Sequence, residues 1–174
     1  MQVPQLVLQL DAMPPRLAAL IESEWAYLAL FGVFVLEGAM LMYFMPSEVI
    51  VPGSLLLLGG DALLPVLAVA ILGATLGQYA LFKAAQRGGR EYLLSKSWFR
   101  VDESKLDRFD GWFDRWGPVV VPVSNALLFT RGMLTVPAGF AEMDDRQFVV
   151  LSAAGTLVFE VALAGLYLYA GTLL

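Results

Sequence analysis

The 174-residue chain has no cysteine and no histidine. Without cysteine there is no disulfide, no thiolate nucleophile and no iron–sulfur cluster. Without histidine the commonest general base and the commonest zinc ligand are missing too. Proton chemistry would have to run on carboxylates, with Tyr or Lys in support. Lysine is scarce: Lys83, Lys96 and Lys105 stand against eight arginines. Charge of either sign is sparse, at 16% of residues, and the net charge is −5. What fills the chain instead is apolar: 59% hydrophobic residues, with a mean hydropathy of +0.70. That excludes an ordinary soluble domain. Runs long enough to cross a bilayer leave room for one membrane domain, residues 25–174, behind an N-terminal segment 1–24. That segment lacks a basic region ahead of an apolar core, so no cleaved signal peptide is predicted. Met13-Pro14-Pro15-Arg16 followed by Leu17-Ala18-Ala19-Leu20-Ile21 predicts a turn entering a short interfacial helix.

Residues 25–44 form a first apolar run with Glu37 as its only charge. About twenty residues of helix reach across ~30 Å, so a full span is expected there. The stretch Met45-Pro46-Ser47-Glu48-Val49-Ile50-Val51-Pro52-Gly53 then puts a carboxylate, a hydroxyl and two prolines between apolar neighbours. Proline removes a backbone donor and breaks helices. In lipid the freed carbonyl must be satisfied by protein or water. A broken, re-entrant segment over about 45–60, lining a polar cavity, is therefore predicted. A second span covers 62–82, where Gly73, Ala74 and Gly77 mark a face for close helix packing. Eight of the eleven basic residues fall in 83–115, which the positive-inside rule places in the cytoplasm as a connection over 83–116. Inside it, Leu106, Phe109, Phe113 and Trp116 recur at helical spacing opposite Asp102, Glu103, Asp107, Asp110 and Asp114. That predicts an amphipathic helix over 101–116 with Asp102 as N-cap. A second Pro-broken segment, 118–137, contains Ser124, Asn125, Thr130, Arg131 and Thr135. The last span, 147–174, carries Glu160, and Gly155, Gly165 and Gly171 mark its packing face.

The two halves share an order: broken apolar stretch, Pro-Gly or Pro-Ala-Gly exit, polar turn, Gly-marked span. Paired Pro/Gly-interrupted segments at matching positions are the sign of a transporter built from inverted repeats. The predicted fold is all-α and integral to the membrane, with two Pro-broken re-entrant hairpins in a weak inverted repeat and a cytoplasmic amphipathic helix.

Ionisable groups at membrane depth are costly and point to function. Glu48 reads either as a structural ion pair with Arg131 or as a group facing water and substrate. Glu37 reads as a proton carrier or as a protonated carboxyl bonded inside the bundle. Glu160 is a helix contact or a third cavity carboxyl. Arg131 stays charged, and its fork suits phosphate or carboxylate.

Several of these residues fall into a pattern that resembles the DedA family of membrane proteins. They are Glu37, Pro46-Ser47-Glu48-Val49-Ile50-Val51-Pro52, Gly73-Ala74-Thr75-Leu76-Gly77, Arg87-Gly88-Gly89-Arg90, Phe113-Asp114-Arg115-Trp116-Gly117, and Arg131 with Pro137-Ala138-Gly139-Phe140-Ala141-Glu142-Met143. The resemblance runs over roughly residues 30 to 172. It implies two re-entrant hairpins meeting at mid-membrane and movement of lipids across the bilayer. For bacterial members that means recycling of undecaprenyl phosphate with proton coupling. Its important acids fall on Glu37 and Glu48, and an important arginine on Arg131. The sequence departs from the pattern at three places. Asn125 stands where another arginine is often found, Gln78 where an acidic group is often found, and Phe159 where tryptophan is usual.

The expected function is a lipid flippase or scramblase acting on polyprenyl phosphate or phospholipid. Glu37 and Glu48 would carry protons. Arg131, Asn125, Ser124 and Ser47 would bind the substrate, with Glu160 and Gln78 as additional contacts. A proton-coupled small-solute or cation antiporter using the same carboxylates is the first alternative, and a non-transporting assembly factor the second. An enzyme is the least expected outcome. The expected partners are phosphate-bearing lipids and protons, with no cofactor, metal or nucleic acid. Self-association is left open, and the expected location is the plasma membrane, crossed several times.

Overall fold

The computed structural model describes residues 25–42, 47–95, 103–128 and 130–172, with the backbone alone for 47–49, 105 and 170–172. The expected interfacial segment 1–24 and the Asp102 cap lie outside the described residues. Among the described residues seven helices follow in order: α1 Trp25–Gly38, α2 Ser47–Leu58, α3 Leu63–Leu94, α4 Glu103–Trp116, α5 Val120–Ala126, α6 Thr135–Phe140 and α7 Asp145–Thr172. Short 3-10 turns, Gly60–Ala62 and Gly117–Val119, lead into α3 and α5. Among the described residues, two helical stretches are long and apolar enough to cross a membrane: Gly60–Leu94 and Asp145–Tyr169.

The first apolar run is shorter than its composition predicts. It was expected to continue to residue 44, but α1 stops at Gly38. Two local causes are visible. A Cβ on Gly38 would lie 2.1 Å from the Ala74 carbonyl oxygen, so the chain comes to α3 backbone-to-backbone at that point. Met40 then takes φ 57, and the amides of Met40 and Leu41 donate to the carbonyls of Glu37 and Leu36. Those bonds close the helix end in the left-handed manner. Fourteen residues give about 21 Å of helix, too little to cross ~30 Å of hydrocarbon.

The basic connection is also more ordered than expected. Residues 83–94 continue α3 as helix, with a kink at Gly89 (φ 72, ψ −179), a conformation open to glycine. At about 48 Å, α3 outruns an apolar core, so Lys83, Arg87 and Arg90 extend past it. Arg90 holds the amphipathic α4 in place. It pairs with Asp107, with Asp110 at 2.8 Å and with Glu103 at 3.8 Å. The apolar side of α4 buries Leu106 and Phe109. Leu106 packs with Leu81, Ala85 and Leu93 of α3 and Val136 of α6.

Glycines set how closely the helices approach. Gly73 lies on Phe31 and Phe34, and Gly77 on Val35 and Ala39. Those contacts advance together, so α1 and α3 run the same way. Between α3 and α7 the order reverses: Gln78 meets Ser152, Phe82 stacks on Phe148 at 4.2 Å, and Lys83 reaches Asp145 at 3.0 Å. These two helices are antiparallel. Gly139 of α6 sits on Ala85, Phe82 and Gln86 of α3, and Gly155 of α7 sits on Pro122 and Asn125 of α5. Gly165 is a correction: among the described residues nothing lies within 4 Å of where its Cβ would be, so it does not share the expected packing face.

Each half thus has the same order of short helix, connection, short helix, long helix. In the first, the chain advances along α3 to Met40 and comes back to the start of α3 through α2. In the second, α5 leaves from the end of α4, and α6 returns to the Phe82–Gln86 region beside the start of α7.

Candidate functional site

The distribution of polarity is the reverse of that in a soluble protein. Leu64, Leu72, Val150, Val158 and Leu166 stand on the outside of the two long helices, all more than half exposed. Gln78, Asn125, Ser152, Thr156 and Glu160 are buried at 1% exposure or less. A water-facing surface rarely carries so large an apolar patch. In lipid, polar and ionisable groups belong inside, facing partners or a cavity.

Arg131 is the centre of that interior. It sits in the turn between α5 and α6, and its side chain is only 6% exposed. Glu160, one per cent exposed on α7, accepts a hydrogen bond from its Nη2 at 2.5 Å. Glu37, in the last turn of α1, places Oε1 3.1 Å from its Nε. That is ion-pair distance without the alignment of a hydrogen bond. The guanidinium lies over the Phe159 ring, 4.2 Å from its centroid, which adds a cation–π contact. Gly132, the next residue, approaches Met40 at the end of α1, so the two turns meet here.

Beside this trio is a neutral network. Asn125 donates through Nδ2 to Gln78 Oε1 at 2.8 Å and Ser152 Oγ at 3.2 Å, and Ser152 in turn donates to Gln78. The Asn125 Oδ1 accepts from the Gly132 amide at 3.0 Å. One side chain therefore ties α5 to both long helices and fixes the turn that carries Arg131. Ser124 is buried and donates to the Val121 carbonyl, while its own carbonyl accepts from Thr130.

Among the described residues, buried polar atoms without a hydrogen-bond partner include Arg131 Nη1, Glu160 Oε2 and the hydroxyls of Thr75, Thr135 and Thr156. Each such atom costs about 1–3 kcal/mol when nothing satisfies it. Together they describe an interior that suits water or a polar ligand.

Residues 28–173 match the VTT domain. The chain belongs to this family. Among its curated relatives are two proteins named undecaprenyl phosphate transporter A. The one from Bacillus subtilis is 22% identical, over 89% of this chain and 78% of the relative. The one from Staphylococcus aureus is 25% identical, over 81% and 72%. A B. subtilis membrane protein named YkoX, described as uncharacterized, is 28% identical over 83% of this chain and 63% of its own length. No solved structure matches the chain. Family, relatives and apolar helices agree on an all-helical membrane protein, with relatives named for transport rather than for catalysis.

Within this VTT domain the structure joins three of the residues singled out from the sequence: Glu37, Arg131 and Glu160. Asn125 and Gln78 are joined in the second network. Two of the three positions where the sequence departs from the DedA pattern thus touch each other, and an amide pair stands where the resemblance implies charge. The side chains of Ser47 and Glu48 lie outside the described residues. The expected pairing of Glu48 with Arg131 lies outside them too; the partners described for Arg131 are Glu37 and Glu160. Sequence reasoning passed over Ser152, Thr156 and Thr75. The first two precede Glu160 at spacings of four, so one helical face carries Ser152, Thr156 and Glu160, a signal that was available.

Proposed function

We propose that this protein moves a phosphate-bearing lipid across the membrane, with Arg131 as the headgroup receptor and its carboxylate partners as proton carriers. The observation behind this reading is one buried guanidinium shared by Glu37 and Glu160 where the two turns meet. The relatives' names supply the substrate class. In this reading α1–α2 and α5–α6 enter the membrane from opposite faces and return, an inverted repeat with the site at its centre. The basic stretch 83–115 lies in the cytoplasm.

The proposed chemistry follows from charge. With both acids ionised, the trio carries one net negative charge; one proton makes it neutral. A phosphate arriving at Arg131 competes for the same fork. The carboxylate it displaces is left in a low-dielectric interior, where a proton stabilises it. Release of the phosphate on the other side restores the pair and returns the proton. Nη1, which no described group hydrogen-bonds, gives the incoming oxygen its first contact. Asn125, Ser124 and Gln78 act by holding the turn and the helices around it; Glu48 is proposed as a further proton carrier and Ser47 as a further substrate contact.

The test is transport of a fluorescent or radiolabelled polyprenyl phosphate in vesicles containing the purified protein, with and without a pH gradient. Arg131→Gln should abolish transport. Arg131→Lys, which keeps charge but loses the fork, should weaken it. Glu37→Gln or Glu160→Gln should remove the response to the gradient. Normal transport by Arg131→Gln would sink the reading. A small-solute or cation antiporter is separated by the same vesicles loaded with those solutes.

A further inference from the structure

A second feature lies outside the polar centre. Between α4 and the α5–α6 turn runs an open groove of about 450 Å³. Trp112 and Trp116 of α4, Val119, Val123 and Leu127 on the α5 side, and Thr130 line it, over the buried Val120, Ser124 and Leu134. Thr130 adjoins Arg131, so the groove reaches the turn that carries the receptor. Trp112 is steadied by an edge-on contact with Phe109 at 5.5 Å.

The charges on α4 are sorted around this groove. Glu103, Asp107 and Asp110, at spacings of four and three, form a stripe turned to Arg90. Arg108 and Arg115, seven apart and therefore on one face, are both exposed on the flank that carries Trp112. Arg115 lies over the Trp116 ring, 5.6 Å from its centroid. Arg115 thus stands beside the groove at its Trp116 wall, and Arg108 is exposed on the same flank of α4.

We infer that this groove holds the hydrocarbon chain of a polyprenyl phosphate before its headgroup crosses, with the phosphate at Arg108 and Arg115. The inference rests on the lipid-transport reading above and adds a resting position to it. Three observations select the occupant. The groove is continuous with the exposed apolar face of Val119, Val123 and Leu127, so it opens to lipid. Arg115 lies at its Trp116 wall and Arg108 on the same flank of α4, two cations that complement a phosphate. Its volume, at about 30 Å³ for each water-sized group, takes about fifteen such groups. That is part of one chain, which suits a single-tailed lipid better than a two-tailed one. A tail lying there brings its lipid alongside the Arg131 turn, so the headgroup has only to move inward along the hairpin.

The experiment uses the full chain in phosphatidylcholine vesicles with a trace of radiolabelled polyprenyl phosphate. A photoreactive residue is placed by Leu127→p-benzoylphenylalanine, or by Val150→p-benzoylphenylalanine on the lipid-facing side of α7 as control. Labelling should be several-fold stronger at 127 than at 150. Unlabelled polyprenyl phosphate should compete for it, and phosphatidylglycerol should not. The double change Arg108→Gln, Arg115→Gln should cut labelling about tenfold, as loss of charge-assisted bonds predicts. Val123→Trp, a change at an exposed position, should fill the slot and do the same. Equal labelling at 127 and 150, or equal competition by phosphatidylglycerol, would mean ordinary surrounding lipid and overturn the inference. The two readings fail separately. Specific labelling at 127 with transport unaffected by Arg131→Gln removes the receptor and leaves the groove. Transport lost in Arg131→Gln without specific labelling at 127 removes the groove alone.

Discussion

Glu37 and Glu160 share one cation, and their removal should therefore be strongly non-additive. Glu160→Gln keeps the shape of the side chain and leaves Arg131 its contact with Glu37 at 3.1 Å. Glu37→Gln leaves the hydrogen bond to Glu160 at 2.5 Å. Each single change removes one of two partners and leaves a neutral ion pair. Interhelical polar contacts in membranes are worth about 0.6 kcal/mol on average and about 1.7 at most, so each single loss should fall in that range. The double change differs in kind. It leaves a guanidinium at 6% exposure with amides in place of carboxylates. An uncompensated buried charge costs about 3–5 kcal/mol. The coupling between the two sites, double minus the sum of singles, should then be about 1–3 kcal/mol.

Thermal unfolding in detergent, followed by intrinsic fluorescence of the four tryptophans, reads this directly. At about 2–4 °C per kcal/mol for a chain of this size, single variants should lose a few degrees and the double variant clearly more than their sum. Adding Arg131→Gln to the double variant removes the stranded charge and should recover part of the loss. Additive single and double variants, with no recovery in the triple, would refute the shared-cation geometry.

Three further outcomes follow from the packing and the polar contacts. Gly155→Ala puts a Cβ within 2.4 Å of the Pro122 carbonyl oxygen and should cost about 1–3 kcal/mol as overpacking, whereas Gly165→Ala meets nothing and should be neutral or better in the same unfolding assay. Burial pushes the Asp110 carboxyl above its ordinary range, against the pull of Arg90. Its contribution is therefore fully present below the ordinary carboxylate value and is lost as pH rises through the raised one. Asp110→Asn should flatten that dependence in hydrogen exchange over 103–116, and Arg90→Ala should speed exchange of the same helix at every pH. Because the chain has no cysteine, Ser95→Cys gives a single label at the exposed end of α3; it should react only with reagents that reach the cytoplasm, and labelling from outside alone would reverse the assigned orientation.

The helix content, the amphipathic α4 and the placing of charge were legible because each rests on periodicity within a short window. Leu106 and Phe109 could be put on one buried face of α4 from spacing alone. The early end of α1 was not legible, since an unbroken apolar run gives no stop signal. The stop comes from Gly38 meeting Ala74 and from Met40 turning at positive φ, and neither has a signature in hydropathy. Likewise the continuation of α3 through Arg87-Gly88-Gly89-Arg90 defies local propensity, since two glycines weaken a helix. Tertiary contacts of Leu93 with Leu106 and Val136 help hold it. For the site, depth and charge were enough to pick out Glu37, Arg131 and Glu160. Which carboxylate meets Arg131 depends on how α1, the α5–α6 turn and α7 cross. That crossing is set by the close approaches at Gly77 and Gly155, which pair helices distant in sequence.

The same crossing explains why Asn125 belongs to the site without needing to touch a substrate. Its amide is used by Gln78, Ser152 and the Gly132 amide. An arginine at 125, the residue the family resemblance suggests, would bring a second cation beside Arg131 and would need an acid in place of Gln78. Here both positions are neutral, so the centre holds a single cation within the described residues of this cluster. The reverse exchange is therefore informative. Asn125→Arg alone should destabilise the protein, because it buries a charge opposite an amide. Asn125→Arg with Gln78→Glu should restore folding by pairing that charge. If the restored protein binds polyprenyl phosphate more tightly than the original, a second cation reaches the headgroup; if unfolding temperature recovers and binding is unchanged, position 125 acts only by holding the Arg131 turn.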